Sequence, residues 1–117
     1  MSLEWEQVIV DAADPGALGR WWQQALGWVA VNEDPDEYEI RPAADRTPGL
    51  LFVEVPDAKV TKNRLHLDLR PDDRDAEVER LVGLGATRAE IGQGDQSWVV
   101  LADPEGNEFC VLSARSS

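Results

Sequence analysis

The chain carries one short plan twice. Gln7-Val8-Ile9-Val10-Asp11-Ala12-Ala13-Asp14 alternates in polarity and runs into an acidic turn. His66-Leu67-Asp68-Leu69-Arg70-Pro71-Asp72-Asp73 repeats that plan 59 residues later, and it holds the only histidine of the chain. Each copy then enters a helical stretch closed by Leu-Gly, first at Leu26-Gly27 and then at Leu84-Gly85. A repeat of half of 117 residues is no solenoid unit, which needs several short copies to bury a core. It predicts two similar modules, with Gln7 and His66 at matching points on two related strands.

In the first copy Val8, Val10 and Ala12 fall on one face, and Gln7, Ile9 and Asp11 on the other. A period of two is that of a strand with one face on the core. Asp14-Pro15 reads as a helix start, an aspartate cap followed by proline at the first helical position. Leu18, Trp21, Trp22, Ala25 and Leu26 then form one apolar stripe. Trp21 and Trp22 are adjacent, so one is expected to pack inward and the other to meet a partner subunit or a cavity rim. Gly27 ends the helix in the left-handed conformation. Residues 28–31 read as a strand, 32–36 as a turn, 37–41 as a strand, 42–49 as irregular, and 50–55 as a strand stopped by Pro56.

The second copy reads the same way. Residues 65–69 place three leucines on one face and His66 and Asp68 on the other. Asp72 or Asp73 caps a helix whose stripe is Val78, Leu81 and Val82, closed by Gly83 and Gly85. Strands follow at 87–91, 97–101 and 109–112, separated by turns at 92–95 and 103–107. Each half is therefore strand, helix and three strands. The expected fold is α+β, two βαβββ modules forming a curved mixed sheet with helices outside and a hollow inner face. One domain spans 1–117, with modules at about 4–56 and 62–113.

Composition narrows the partners. The net charge of −12, from 23 acidic and 11 basic residues, argues against nucleic acid and anionic membranes. It suits solubility or a long-range preference for cationic ligands. No apolar run has the length of a membrane helix, and the first residues do not read as a signal peptide. The single cysteine, Cys110, allows no internal disulfide and fits a reducing compartment, so a cytoplasmic protein is expected.

Three stretches carry a resemblance that spans essentially the whole chain. They are Val10-Asp11-Ala12-Ala13-Asp14-Pro15 with Trp21-Trp22 and Leu26-Gly27-Trp28; Lys62-Asn63-Arg64-Leu65-His66-Leu67-Asp68-Leu69; and Ala102-Asp103-Pro104-Glu105-Gly106-Asn107-Glu108-Phe109-Cys110. With these residues the chain resembles the vicinal oxygen chelate superfamily, which holds glyoxalase, bleomycin-resistance and extradiol dioxygenase proteins. It is most similar to the small single-domain glyoxalase-like branch. The resemblance implies a paired βαβββ fold, often dimeric, and leaves the reaction open.

The resemblance also implies where a metal would sit. Metal enzymes of the superfamily take a histidine or glutamine from the first strand of each module and a glutamate from the last. The first-strand positions are Gln7 and His66, both able to ligate a divalent ion. The last-strand positions fall on Cys110 and near Phe52. Phenylalanine cannot ligate, and a thiolate is soft beside hard ligands. Glu54 and Glu108, two residues away on the same strands, would have to shift register to complete the set. Two good ligands do not hold a catalytic metal. The expectation is therefore no cofactor, with His66 a cavity histidine able to act as an acid or base, and a divalent metal as the alternative.

The expected protein binds a small molecule, cationic or aromatic, in the hollow against Gln7, Phe52, Glu54, Arg64, His66, Asp68, Trp98 and Cys110. Tryptophan walls such as Trp98 suit flat, apolar or cationic guests. The other reading is a metal-dependent lyase, isomerase or dioxygenase with Gln7 and His66 as ligands. A third is a dimerisation module within a larger assembly. A homodimer is expected, with no nucleic-acid or membrane partner.

Overall fold

A computed structural model of the protein describes residues 4–55, 67–89 and 98–114. The chain divides into two compact units, Met1–Ala58 and Lys59–Ser117. His66 and Arg64 lie outside the described residues, as does the turn expected at 92–95.

In the first unit β1 (Gln7–Ala12) leads into α1 (Pro15–Leu26), followed by β2 (Val29–Asp34), β3 (Glu37–Arg41) and β4 (Gly49–Glu54). The helix begins where the sequence offers a cap. The Asp14 carboxylate accepts a hydrogen bond from the Ala17 amide at 3.1 Å, and Pro15 needs no partner in the first turn. It ends at Gly27, whose φ of 68° is the left-handed cap. The strands are ordered β1-β4-β3-β2, with β1 parallel to β4 and the other pairs antiparallel.

Pairing register sorts the side chains into two faces. Tyr38 and its partner Phe52 stand under α1, and so do Leu50 and Ile40. Gly19 allows this approach, because a Cβ there would lie 2.8 Å from Cγ of Tyr38. Tyr38 donates its hydroxyl hydrogen bond to Gln23 Oε1 on the same helix. Phe52 and Ile40 are completely buried, and Leu18, Trp21, Trp22 and Ala25 close over them. Removing each such side chain from water contributes about 1.5–3 kcal/mol.

Two expectations for this unit fail. Trp21 and Trp22 are both buried, with ring centroids 5.0 Å apart and planes at 82°. The buried face of α1 is wide enough to take neighbouring positions, and the edge-to-face contact suits two indoles. The strand expected at 28–31 begins at Val29 and runs on through the polar residues to Asp34, with a register shift between Ala30 and Asn32. β2 is the edge strand of this sheet, where polar side chains are tolerated.

The second unit repeats the order: β5 (Leu67–Leu69), α2 (Arg74–Leu84), β6 (Thr87–Arg88), β7 (Val99–Ala102) and β8 (Glu108–Val111). Of the two candidate caps, Asp73 is used, accepting from the Ala76 amide at 3.1 Å. The sheet order β5-β8-β7-β6 is that of the first unit, with β5 parallel to β8. Val78 and Leu81 are buried, but Val82 is exposed and Gly83 lies inside the helix, so the buried stripe is narrower than the sequence suggested. The turn before β8 is held by Asp103. Its buried carboxylate accepts from the Glu105 and Asn107 amides, each at 3.0 Å, and from the Asn107 side chain. Gly106 supplies the positive φ, 87°, that this turn needs.

Among the described residues the protein is thus α+β, with two helices and two four-stranded mixed sheets. No helix among them is long and apolar enough to cross a membrane.

Candidate functional site

Among the described residues each sheet has one face under its helix and one face without a helix, and Gln7, Asp68 and Cys110 stand on the second. In the first unit, register places three rows of side chains there. Gln7 of β1 stands beside Gly49 of β4, with Arg41 and Val29 paired on β3 and β2. Ile9, Leu51, Glu39 and Asn32 form the next row. Asp11, Val53, Glu37 and Asp34 form the third.

Arg41 and Glu39 are two residues apart on β3 and therefore neighbours on this face. The Arg41 Nε donates to Glu39 Oε2 at 3.0 Å, in a pair whose side chains are only 21% and 12% exposed. The same guanidinium donates to Glu6 Oε2 at 3.1 Å and to the Ala44 carbonyl at 3.3 Å. Gly49 makes room for it, since a Cβ there would stand 3.0 Å from Cγ of Arg41. Between the second and third rows, Asn32 Nδ2 donates to Glu37 Oε1 at 3.5 Å. Asn32, Glu37, Glu39 and Arg41 are not among the residues expected at a site from sequence. The signal was there: in Glu37-Tyr38-Glu39-Ile40-Arg41 the apolar set goes under the helix, so the charged set must share the other face.

In the second unit the helix-free face carries Asp68 of β5, its register partner Cys110 of β8, and Glu108 two residues before it. Val100, Ala102 and Thr87 complete the face. Glu108 Oε1 is buried, while Asp68 is exposed and Cys110 half-buried. Trp98, one residue ahead of β7, is 36% exposed.

The repeat extends into this pairing. Ile9 pairs with Leu51 as Asp68 pairs with Cys110, so the first-unit counterpart of Cys110 is Leu51. Phe52 is one residue further on and points under α1, fully buried among Val10, Tyr38 and the helix. Glu54 shares the Phe52 face, beside Ala12, and is exposed at the end of β4. Neither shares a face with Gln7, which corrects their assignment to the ligand face. The error was one residue of register, and in a strand one residue exchanges the two faces. Gln7, Asp68 and Cys110 do lie on helix-free faces.

The four-ligand set that the resemblance implied does not fit the side chains. Leu51 has no donor atom, and Gly49 and Val53 on either side of it on that face have none. Among the described residues no three His, Cys, Asp or Glu side chains converge to hold an ion.

Comparison with known proteins agrees with this architecture. A family model described as "Glyoxalase-like domain" matches residues 7–112. No curated protein matches the chain in sequence. Among solved structures, the fold is similar to a glyoxalase/bleomycin resistance protein/dioxygenase family enzyme from Burkholderia phytofirmans PsJN. The identity is 18% and the TM-score 0.73, over 93% of this chain and 97% of that one. It is similar to the bleomycin-binding protein of bleomycin-producing Streptomyces verticillus, solved with copper(II)-bleomycin. There the identity is 17% and the TM-score 0.63, over 98% and 99% of the two chains. A third similar structure is a genomically encoded fosfomycin resistance protein from Listeria monocytogenes, complexed with Mn(II) and 1S,2S-dihydroxypropylphosphonic acid. It is 14% identical with a TM-score of 0.70, over 98% and 92%. At such identities the structures speak for the fold, while the family model speaks for the sequence itself. By that match over nearly its whole length, the chain belongs to the glyoxalase-like domain family.

Proposed function

We propose that this protein binds a small molecule on its helix-free sheet faces, that the guest carries positive charge, and that no complete metal site takes part. The observation that carries this reading is the charge on those faces. On the first, Asp11, Asp34, Glu37 and Glu39 stand against Arg41. On the second, Asp68 and Glu108 are the charged side chains at the described strand positions of that face. Apolar neighbours such as Leu51, Val53 and Val100 lower the local dielectric, which strengthens attraction for a cation. The fold is suited to such a role, since the similar Streptomyces verticillus protein holds a bound antibiotic. The same reading takes the protein as a cytoplasmic homodimer.

Thermal-shift screening tests it. Cationic aromatic compounds should raise the melting temperature, because a ligand that binds only the native state stabilises it. The shift should shrink as salt is added. A panel in which anionic compounds act as strongly as cationic ones, or in which none acts, overturns the reading.

A second reading is a metal-dependent lyase, isomerase or dioxygenase using Gln7 and His66 as ligands. Two observations favour it: Gln7 stands on a helix-free face, and the similar Listeria monocytogenes protein was solved with Mn(II). Of the two glutamates considered as further ligands, only Glu108 remains, because Glu54 shares the face under α1. Metal analysis separates the readings. A stoichiometric divalent ion in purified protein, lost in His66→Ala, would establish this one.

A further inference from the structure

The first helix-free face has two glutamates on β3, and they are not equivalent. Glu39 is committed. Its carboxylate holds Arg41 at 3.0 Å, and it is the less exposed member of that pair. Arg41 is committed in turn to Glu6 and the Ala44 carbonyl, so the pair is tied to the segment before β1 and to the loop after β3. A carboxylate in such a bridge gains little by exchanging its guanidinium for a guest cation. Glu37 is placed differently. It lies on the same face between Val53 and Asp34, half-buried, and its one partner among the described residues is the neutral Asn32 amide at 3.5 Å, the limit of a hydrogen bond. Beside it Leu51 and Val53 of β4 and Ile9 of β1 form an apolar strip, in which Ile9 is 59% exposed.

We propose that Glu37 is the residue that selects the guest, receiving a monocationic group while the apolar part of the guest lies along Val53, Leu51 and Ile9. The Arg41–Glu39 pair is a fixed neutral element that bounds this subsite at the Gln7 end. The ligand class is a flat apolar body with one amidinium, guanidinium or ammonium group. A planar amidinium matches a carboxylate with two parallel hydrogen bonds. The inference rests on the proposed function and adds the residue and the ligand geometry.

The experiment uses benzamidinium and its neutral isostere benzamide, titrated into the full chain and followed by backbone chemical shifts. Wild-type protein should bind benzamidinium at least about 10-fold more tightly than benzamide, a preference within the reach of one charge-assisted pair. Glu37→Gln should bring the ratio to about 1 and leave benzamide binding in place. Arg41→Gln removes the one positive charge at the described strand positions of the face and should raise the ratio. Shifts should concentrate on β3 and β4. A Glu37→Gln protein that keeps the preference overturns the inference, as does an Arg41→Gln protein that loses it. Equal binding of both compounds by wild type sinks the role of Glu37 alone. Binding of neither compound, together with a silent thermal-shift panel, sinks the small-molecule reading beneath it. Melting curves of each variant identify one that has failed to fold, and Glu37→Asp, which keeps the charge, should then preserve the preference.

Discussion

The two units share a plan and differ in how firmly the helix is held. In the first, α1 buries Leu18, Trp21, Trp22 and Ala25 and approaches β3 so closely that only glycine fits at position 19. In the second, α2 buries Val78 and Leu81 and leaves Val82 in water. Caps and strand order are the same; the apolar content of the interface is not. The repeated pattern therefore specifies backbone path, and the identity of the inward side chains specifies how much stability each copy contributes. The helix-free faces diverge in parallel. One is built around the Arg41 ion pairs, and the other carries Asp68, Cys110 and Glu108 among its described residues.

The largest effect should come from deleting a first-unit core ring. Phe52→Ala removes a fully buried side chain from beneath α1, and should cost about 3–5 kcal/mol by denaturant unfolding. In the second unit Val82→Ala changes an exposed position and should cost well under about 0.5 kcal/mol. Were Phe52 on a ligand-facing surface, as the sequence suggested, its loss would instead cost binding and leave most of the stability intact.

A sharper comparison uses the same substitution in both helices. Gly19→Ala forces a methyl into the Tyr38 ring, and should destabilise by about 1–3 kcal/mol through overpacking. Gly83→Ala meets nothing within 4 Å and has no left-handed backbone to accommodate. It should stabilise by about 0.5–1 kcal/mol, the helix preference of alanine over glycine. Opposite signs would establish the close helix–sheet contact as a property of the first unit. Equal signs would remove the contrast between the units.

Much of this was legible in the sequence because it is encoded locally. Asp14-Pro15 and Gly27 mark both ends of α1 within a few residues of chain. The alternation at 37–41 marks β3 to the residue. What escaped depends on distant chain. Asn32, Glu33 and Asp34 have turn chemistry, and only pairing with β3 draws them into a strand. Phe52 was put one place out because the alternation of β4 gives two faces without saying which one the helix covers, and the pairing with β1 decides that. Trp21 and Trp22 both pack inward because the surface beneath α1 is wide, a property that neighbouring chain does not encode. The alternation of β3 puts Arg41, Glu39 and Glu37 on one face without naming their partners. Their ion pair depends on Gly49 and Glu6, from other segments.

The smallest effect isolates a single group of the first unit. Tyr38 is the only tyrosine, so its ionisation has no counterpart in the second unit. Burial pushes its pKa above the ordinary 10.0, the Glu33 carboxylate pushes the same way, and the Arg20 guanidinium near the ring opposes them. An acid whose native pKa is raised keeps its proton longer when folded than when unfolded. Stability is then unaffected below the unfolded value and falls as pH climbs from 10.0 toward the native pKa. Tyr38→Phe removes that alkaline loss. It also deletes the hydrogen bond to Gln23, at a cost of about 1 kcal/mol at neutral pH. Wild type should therefore be the more stable protein at neutral pH, and its margin over Tyr38→Phe should shrink above pH 10.0. Tyrosinate absorbance gives an independent reading of the same group: the ring should titrate at higher pH in native protein than in denaturant. A native titration at or below the denatured one would mean that Tyr38 meets water, and the tight contact of α1 on β3 would go with it.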